Sequence, residues 1–501
     1  MTATYTPGTP CRLADVPHWD AETDVLVVGF GIAGACAAIE AASAGASVTV
    51  LEVASTWGGS AALSGGEFYL GGGGGTPVQQ AAGFEDSTED FASYLRLSGG
   101  PGVDEERVGL YAEGALDHFR WLQEQGIPFK GTFLPGKWLE PMTDDTLIWS
   151  GSEMAWPFSA VAKPAPRGHA AQMEGMGAGK VIMDLLAERA LGLGVRAEFD
   201  ARALSLVADT DNAVQGLVAR IDGQPRFIRA RKGVILCAGG FICNQEMLRR
   251  FAPEALVAAE VPTTGGNDDG SGIRMGMSVG GAVSHMHEFF ATKPLFPPDN
   301  MVRGIFVNQR GQRFINEDAY HGRICRYILR QPEGRAWLLM DNAIFARPDF
   351  RPDIDIAAVG ESWEEVETDL GLPAGELVHT VERYNAYAEA GEDPLFHKHT
   401  QWMQPLVEPP FAALSFCPED YPATGFTLGG LTTQPTGEVL DVDGQPVPGL
   451  YAAGRTTCGL PRWGEGYSSG ISLGDGSFFG RLAGRTVAAR PAADSDSDQA
   501  A

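Results

Sequence analysis

The chain is poor in positive charge and has no paired-cysteine motif. Its 501 residues carry 37 Lys and Arg against 64 Asp and Glu, a formal net charge of -27. Binding of nucleic-acid phosphates requires Lys and Arg gathered on one face, so this balance argues against a nucleic-acid partner. The seven cysteines are scattered, without a CxxC pair or a CxxCH haem signature. That pattern is typical of buried thiols in a reducing cytoplasm and excludes a disulfide framework.

Targeting and metal-binding signals are also missing. The first twenty residues lack the basic start and apolar core of a secretory signal. The apolar stretch 25–39 is interrupted by glycines and is shorter than the ~18 residues that a membrane span needs. No His, Cys and carboxylate cluster has a recognisable metal-ligand spacing. We therefore expect a cytoplasmic protein with no membrane span and no metal.

A nucleotide-binding pattern lies near the start of the chain. A β-branched apolar run from Asp24 leads directly into GFGIAG at residues 29–34. Ala-rich sequence then predicts a helix to Ala44, and Ser47–Leu51 predicts a second strand that ends in Glu52. Strand, helix, second strand and terminal acid fall at the spacing of a complete βαβ dinucleotide-binding unit.

Each glycine of this unit has a physical role. Gly29 permits the tight turn, Gly31 lets the backbone approach a pyrophosphate, and Gly34 lets the helix pack closely on the strand. The helix N-terminus then faces the phosphates with its partial positive charge. Glu52 can accept hydrogen bonds from ribose hydroxyls. This unit alone leaves NAD and FAD open.

Three further segments resemble one group of flavoproteins. Trp57–Gly66, Val234–Phe241 and Pro448–Arg455 are similar to the flavin-facing loop, a later strand with its Gly-Gly turn, and the final strand of the FAD-dependent fumarate reductase and 3-ketosteroid dehydrogenase superfamily. The resemblance implies an α/β fold, α+β overall. It consists of a Rossmann-like FAD domain of the glutathione reductase type with an inserted α+β substrate and catalytic domain. No histidine occurs between His18 and His118, so we expect the FAD to be bound non-covalently.

The same resemblance implies which residues contact FAD. They come from the nucleotide turn, the end of the second strand, the small-residue loop, the later turns and the start of the last helix. The expected set is Gly29, Gly31, Ala33, Gly34, Glu52, Val53, Gly59, Ser60, Ala61, Ser64, Gly65, Gly66, Ala203, Ala238, Gly239, Gly454, Arg455, Ile471, Ser472 and Leu473.

Changes in residue pattern along the chain predict how it is divided into domains. We assign 20–287 and 425–490 to a discontinuous FAD domain, 288–424 to the insertion, and 1–19 and 491–501 to tails, the last of them disordered because it is short of apolar residues. Active sites favour such domain interfaces. We therefore expect the catalytic residues near the two points where the chain crosses between domains.

Local patterns add secondary structure to this division. Apolar residues at helical spacing predict helices over Thr88–Ser98, Glu105–Gln125 and Gly177–Leu191. Alternation over Arg196–Ile228 predicts a meander, and a hairpin is expected around Arg310–Gly311.

The residues at the expected substrate-binding positions differ from those of the fumarate reductases. Phe426 begins a Phe-Thr-Leu-Gly-Gly segment where those enzymes have His-Thr-Met-Gly-Gly. Tyr467 falls where their substrate-binding arginine would lie, and a phenol suits a neutral ketone better than a dicarboxylate. Apolar burial would then hold the substrate, and we expect some of the pocket walls between Trp149 and Phe158.

The Tyr-Ser-Ser-Gly run that begins at Tyr467, together with Tyr320, resembles the 3-ketosteroid Δ4-(5α)-dehydrogenases; the Δ1 enzymes have Tyr-Ala-Gly-Ala-Gly instead. The resemblance implies that Tyr467 hydrogen-bonds the C3 oxygen, that Ser469 takes the 4β proton, and that Tyr320 assists and relays that proton. Hydride from C5 would pass to FAD. Two alternatives are that Tyr320 is itself the base and that Ser469 is only the N-cap of the last helix.

Electrons must leave the flavin by an external route, because no second nucleotide fingerprint follows the first. We therefore expect an external acceptor, a quinone or another molecule. The other functions left open are a Δ1-dehydrogenase, a fumarate-reductase-like flavoprotein and a non-catalytic flavin-binding protein.

Overall fold

The fold was obtained as a computed structural model that describes residues 5–492; most of the expected C-terminal tail lies outside the described residues. Twelve α-helices and twenty strands occur in this range. The helices are α1 (Ile32–Ser43), α2 (Pro77–Ala81), α3 (Thr88–Gly99), α4 (Glu105–Glu124), α5 (Phe158–Val161), α6 (Ala178–Gly192), α7 (Gln245–Phe251), α8 (Ser271–Ser278), α9 (His321–Leu329), α10 (Trp363–Asp369), α11 (Glu376–Ala390) and α12 (Ile471–Ala489).

The strands lie between these helices, in several places two or more in succession. They are β1 (Cys11–Arg12), β2 (Ala21–Val28), β3 (Val48–Leu51), β4 (Glu67–Tyr69), β5 (Leu147–Ile148), β6 (Gly168–Ala170), β7 (Arg196–Glu198), β8 (Arg202–Ala208), β9 (Val214–Ile221), β10 (Gln224–Leu236), β11 (Val283–Ser284), β12 (Phe289–Thr292), β13 (Ile305–Asn308), β14 (Ala336–Met340), β15 (Ile356–Gly360), β16 (Phe411–Ser415), β17 (Thr424–Thr427), β18 (Gly430–Leu431), β19 (Glu438–Leu440) and β20 (Pro446–Ala452).

The largest sheet has nine strands and contains the predicted βαβ unit. Its order is β1-β8-β9-β10-β2-β3-β7, and β20 pairs with both β10 and β19. β2, β3, β7, β20 and the C-terminal part of β10 run parallel, whereas β8, β9 and the N-terminal part of β10 form the expected meander. The carboxyl ends of β2, β10 and β20 therefore meet at one edge, where an open α/β sheet binds its ligand.

Helices α1 and α12 touch through their backbones. A Cβ added at Gly480 would lie 2.6 Å from the carbonyl oxygen of Ala33, and one at Gly484 would lie 2.3 Å from that of Ala37. No side chain larger than hydrogen fits at either glycine. This glycine seam places the N-terminus of α12 beside the nucleotide-binding turn at the start of α1.

A second body of structure has its own core. Strands β13, β14, β16 and β15 form an antiparallel sheet in that order, packed with α9, α10 and α11 around buried residues such as Leu338, Ile324 and Val381. Strands β12 and β17, where the chain enters and leaves this body, pair antiparallel with each other. The predicted fold, a Rossmann-like domain with an α+β insertion, is confirmed; its exact edges stay a prediction.

The predicted hairpin around Arg310–Gly311 is present, but it is short: the amide of Asn308 donates to the carbonyl oxygen of Gln312 at 3.1 Å across the turn. β13 pairs with β14, and only a single bridge joins Val307 to Arg313 across the turn. The Arg313 side chain is buried and forms ion pairs with Glu317 at 2.7 Å and Asp393 at 2.8 Å.

Two properties of the described residues bear on the setting of the protein. All seven cysteines are free thiols. No helix between residues 5 and 492 combines the length and apolar character that a bilayer crossing demands.

Candidate active site

One cavity of about 880 Å³ runs from the nucleotide-binding turn to strands β12 and β17. Its walls include seventeen of the twenty residues expected to contact FAD and all three catalytic candidates. The lining members are Gly29, Gly31, Ala33, Glu52, Val53, Gly59, Ser60, Ala61, Ser64, Gly65, Ala203, Ala238, Gly239, Gly454, Arg455, Ser472 and Leu473, together with Tyr320, Tyr467 and Ser469.

The three expected contacts that do not line the cavity have structural reasons. A Cβ at Gly34 would lie 2.0 Å from the carbonyl oxygen of Gly29, so Gly34 serves the close helix packing predicted for it. Gly66 packs against Ala178, where an added Cβ would lie 2.6 Å from backbone. Ile471 is buried in the main core.

The nucleotide end of the cavity has the features that a pyrophosphate requires. Gly31 is the N-cap of α1 and has no side chain to satisfy the first amides of the helix. A Cβ at Gly31 would meet nothing closer than the carbonyl oxygen of Gly58 at 3.7 Å, so the turn is open for a phosphate. Gly29 has a φ of +99° that favours glycine. This open turn at a helix N-terminus fits the diphosphate of FAD.

Two charged side chains shape this end further. Glu52 accepts hydrogen bonds from the backbone amides of Phe30 at 2.7 Å and Ala54 at 2.9 Å, which fixes its carboxylate at the end of β3. Arg455 forms an ion pair with Asp268 and donates to Ser60 Oγ at 2.8 Å. Arg455 therefore ties the small-residue loop to the turn after β20.

At the other end of the cavity, three hydroxyl groups lie together. The hydroxyls of Tyr320 and Ser469 share a hydrogen bond of 2.8 Å. Tyr467 donates to Ser472 Oγ at 2.9 Å, and its ring lies 4.3 Å from that of Phe290, centroid to centroid. Phe426 packs on Phe290 at 5.0 Å. The hydroxyls therefore face the cavity from an aromatic wall.

The sequence interpretation missed the residues that hold Tyr320 and Ser469. The amide of Tyr320 donates to Ser152 Oγ at 3.0 Å. The amide of Ser469 donates to the carbonyl oxygen of Ser150 at 2.8 Å, and Ser150 Oγ donates back to the carbonyl oxygen of Ser469 at 3.1 Å. The expectation that Trp149–Phe158 forms pocket walls is wrong, because none of these residues lines the cavity; the segment supports the site from behind.

Ser469 is not the cap of the last helix. The N-cap of α12 is Gly470, with a φ of +92° and no side-chain cap. A Cβ at Gly470 would lie 2.8 Å from the amide nitrogen of Tyr69. The backbone of β4 therefore packs directly against this turn. The Ser469 hydroxyl is left free to pair with Tyr320.

Burial keeps the two phenols protonated. Desolvation raises the pKa of Tyr320 well above its usual value of 10, and raises that of Tyr467 to about 12. Both are therefore hydrogen-bond donors at neutral pH. His321, next to Tyr320 and also on the cavity wall, has a pKa lowered to about 3 by burial, so its imidazole is neutral.

Other cavity residues were not predicted. Phe290, Thr292 and Thr424 come from the strands where the chain crosses between the two bodies, and Pro294 follows the first of these strands. Glu67 in β4 also lines the cavity and is buried. Glu67 directly follows a Gly-Gly pair in the sequence, but this local pattern does not indicate that the carboxyl is buried.

The FAD binding domain family matches residues 24–471. The chain belongs to this family. It is 30% identical over 502 residues to the 3-oxo-5α-steroid 4-dehydrogenase of Comamonas testosteroni, covering 88% of this chain and 94% of that protein. It is 27% identical over 565 residues to a 3-oxosteroid 1-dehydrogenase of Mycobacterium tuberculosis, covering 93% of this chain and 98% of that protein.

Among solved structures, this family member is similar to 3-ketosteroid Δ4-(5α)-dehydrogenase from Rhodococcus jostii RHA1 in complex with 4-androstene-3,17-dione. The identity is 44% and the TM-score 0.90, over 96% of this chain and 99% of that one. The resemblance inferred from the motifs is confirmed, and FAD is confirmed as the cofactor of the family.

Proposed function

We propose that this FAD-dependent enzyme dehydrogenates 3-ketosteroids, placing a C4=C5 double bond in 3-keto-5α-steroids during steroid breakdown. The observation that carries the proposal is the hydrogen-bonded Tyr320 and Ser469 hydroxyls beside Tyr467 at one end of the flavin cavity. The similarity to the 3-oxo-5α-steroid 4-dehydrogenase of Comamonas testosteroni and to the 3-ketosteroid Δ4-(5α)-dehydrogenase of Rhodococcus jostii supports the same reaction.

Tyr467 is the proposed partner of the substrate C3 carbonyl. Its phenol is neutral and lies in a buried setting. A hydroxyl donor aimed at a ketone oxygen stabilises the negative charge that forms there when an adjacent C–H bond loses its proton, and such a donor is worth roughly 3 to 4 kcal/mol in the transition state. Ser472 orients the phenol before substrate binds.

Ser469 and Tyr320 are the proposed proton-transfer pair. Ser469 Oγ would take the C4 proton and pass its own proton to Tyr320 through their 2.8 Å hydrogen bond. A serine hydroxyl is far from ionised at neutral pH, so it needs this partner. The alternative in which Tyr320 is the immediate base uses the same contact.

FAD, when bound, supplies the acceptor for the hydride from C5. The cavity residues that would hold it are the open turn at Gly31, the carboxylate of Glu52 and the loop at Ser60 that Arg455 ties in place. We propose that the attachment is non-covalent. Acid precipitation of the holoenzyme should release all flavin absorbance into the supernatant.

Apolar contact is the proposed source of steroid affinity. Phe290, Phe426 and Pro294 line the cavity end beside the hydroxyls. Burying ~250 Å² of steroid surface at ~25 cal/mol per Å² gives roughly 6 kcal/mol before the costs of association. Arg455 and Arg202 are the arginines that line the cavity, and each is already paired with an aspartate. A dicarboxylate would therefore lack a free anchor here.

The remaining parts of the proposal concern the surroundings of the enzyme. We propose that an external acceptor, a quinone or another molecule, reoxidises the flavin. We also propose a cytoplasmic location, which agrees with seven free thiols.

The test of the proposed function is a product analysis. Purified holoenzyme is incubated with 5α-androstane-3,17-dione and an artificial electron acceptor. A product with a C4=C5 double bond is expected. A C1=C2 double bond would move the enzyme to the Δ1 class, and fumarate reduction without steroid turnover would contradict both assignments. A protein that only binds flavin would show no reaction specific to the ketone.

A further inference from the structure

The proposed reaction leaves one proton without a destination. Removing a proton from C4 and a hydride from C5 releases one proton per turnover. Ser469 is a neutral alcohol, and Tyr320 stays protonated because burial raises its pKa well above 10. These two hydroxyls can conduct a proton but cannot keep it, so an acceptor must follow them.

Glu67 is a buried carboxyl on the same cavity. It is only 5% exposed, and its Oε1 atom has no hydrogen-bond partner among the described residues. A buried carboxyl oxygen without a partner is costly and is uncommon in a structure that needs it only for folding. Glu67 is therefore a candidate for function.

The position of Glu67 relates it to the hydroxyl pair. Its strand, β4, joins the turn that follows Ser469, because the amide of Tyr69 donates to the carbonyl oxygen of Gly470 at 3.0 Å. Glu67, Tyr320 and Tyr467 line the same cavity, and the negative charge of the Glu67 carboxylate contributes to raising the pKa of both phenols.

A second acidic residue, Glu140, lies near Glu67 at Gly65. Glu67 Oε1 and the Cβ atom of Glu140 lie 2.5 Å and 2.7 Å from the point where a side chain at Gly65 would begin. Glu140 is partly exposed and accepts a hydrogen bond from the amide of Gly177 at 2.7 Å. The partly exposed Glu140 therefore lies between the buried Glu67 and solvent-exposed parts of the chain, which makes it a candidate for the next group along a proton path.

We infer that Glu67 accepts the substrate proton from the Tyr320–Ser469 pair and hands it to Glu140 for release to solvent. The inference rests on the proposed function. The C4–H bond breaks and its electron pair stays on the substrate. The proton goes to Ser469 Oγ, the serine proton to Tyr320 Oη, and the tyrosine proton, directly or through water, to the Glu67 carboxylate.

The titration of Glu67 agrees with this role. Burial first, and then the charge of Glu140, raise the pKa of Glu67 to about 8. The groups that face it are Glu140, Tyr320 and Tyr467. Because only the ionised carboxylate can accept a proton, the rate of flavin bleaching by steroid should rise with pH up to about 8 and then level off.

The first experiment follows anaerobic flavin bleaching by 5α-androstane-3,17-dione between pH 6 and 9.5. Glu67→Gln should be slowed about 100-fold at pH 8 and lose the pH dependence, whereas Glu67→Asp should keep a pH-dependent rate. Glu113→Gln, an exposed position on α4, is the matched control and should behave as wild type. A Glu67→Gln enzyme with the wild-type rate and pH profile would overturn the inference. A wild-type flavin that steroid does not bleach would overturn the proposed function instead.

A second variant and a second measurement make the test independent of the folding of Glu67→Gln. Glu140→Gln removes the charge that helps to raise the pKa of Glu67, so the rising part of the pH profile should move to lower pH; an unmoved profile contradicts the inference. The wild-type holoenzyme should also lose thermal stability relative to Glu67→Gln as pH rises from 4.5 to about 8, because the unfolded chain ionises this carboxyl earlier. A constant difference in melting temperature across that range would show that Glu67 does not titrate there.

Discussion

Replacing Tyr467 by Phe isolates the one hydroxyl that we assign to the ketone. The ring would keep its place, because it packs 4.3 Å from Phe290 and 5.5 Å from Phe426, centroid to centroid. The lost contact in the free enzyme is one hydrogen bond to Ser472 Oγ. The structural cost is therefore about 1 kcal/mol, and FAD should stay bound.

The catalytic cost of this substitution should be larger. A single donor to a developing oxyanion is worth about 3 to 4 kcal/mol, or a 100- to 1000-fold loss of kcat. The measurement is kcat with 5α-androstane-3,17-dione at saturating artificial acceptor, beside the flavin absorbance retained after gel filtration. Tyr451→Phe, a buried tyrosine of β20 that does not line the cavity, is the control. A Tyr467→Phe enzyme with more than a tenth of wild-type kcat would refute the assignment of this phenol to the carbonyl.

Three further outcomes are expected. Ser469→Ala should lower kcat 100-fold or more with FAD retained; an active Ser469→Ala enzyme beside an inactive Tyr320→Phe enzyme would give the base role to the tyrosine. Glu52→Ala should lose flavin absorbance on gel filtration, since it removes a carboxylate that two backbone amides hold at the end of β3, where we expect the FAD ribose; full retention would contradict that role. The melting temperature should fall as pH drops from 6.5 toward 3, because the unfolded chain protonates His321 while the folded chain, with a pKa of about 3, does not. His321→Gln should show a shallower fall, by up to about 1.4 kcal/mol per pH unit, and an unchanged slope would argue against a buried neutral imidazole.

Local patterns predicted the elements whose periodicity is long. Helices α3, α4 and α6 begin and end within one residue of the expected positions. Ten or more residues of regular apolar spacing are compatible with a helix and not with a strand. The hairpin at Arg310–Gly311 was expected from its turn residues and forms a single bridge. The pairing of β13 with β14 and the ion pair of Arg313 with Asp393 involve distant segments, which a short local pattern does not reveal.

The site divides in a similar way. Residues that follow from a backbone requirement, such as the open turn at Gly31, could be found from spacing alone. The supports of the hydroxyls could not, since Ser150 and Ser152 reach Ser469 and Tyr320 from segments more than 160 residues away in the chain. Glu67 was missed because burial of a carboxyl has no local sequence signal.

The glycine seam between α1 and α12 fixes the position of the loop that precedes α12. It does not depend on which side chains that loop carries. Main-chain contact at Gly480 and Gly484 sets the location of the loop relative to the nucleotide-binding turn. The side chains of Tyr467 and Ser469 take no part in that contact. Mutation can therefore exchange the side chains at 467 and 469 without moving the backbone that holds them. Such a scaffold can change its substrate through few substitutions in evolution, and protein engineers can vary the same two positions.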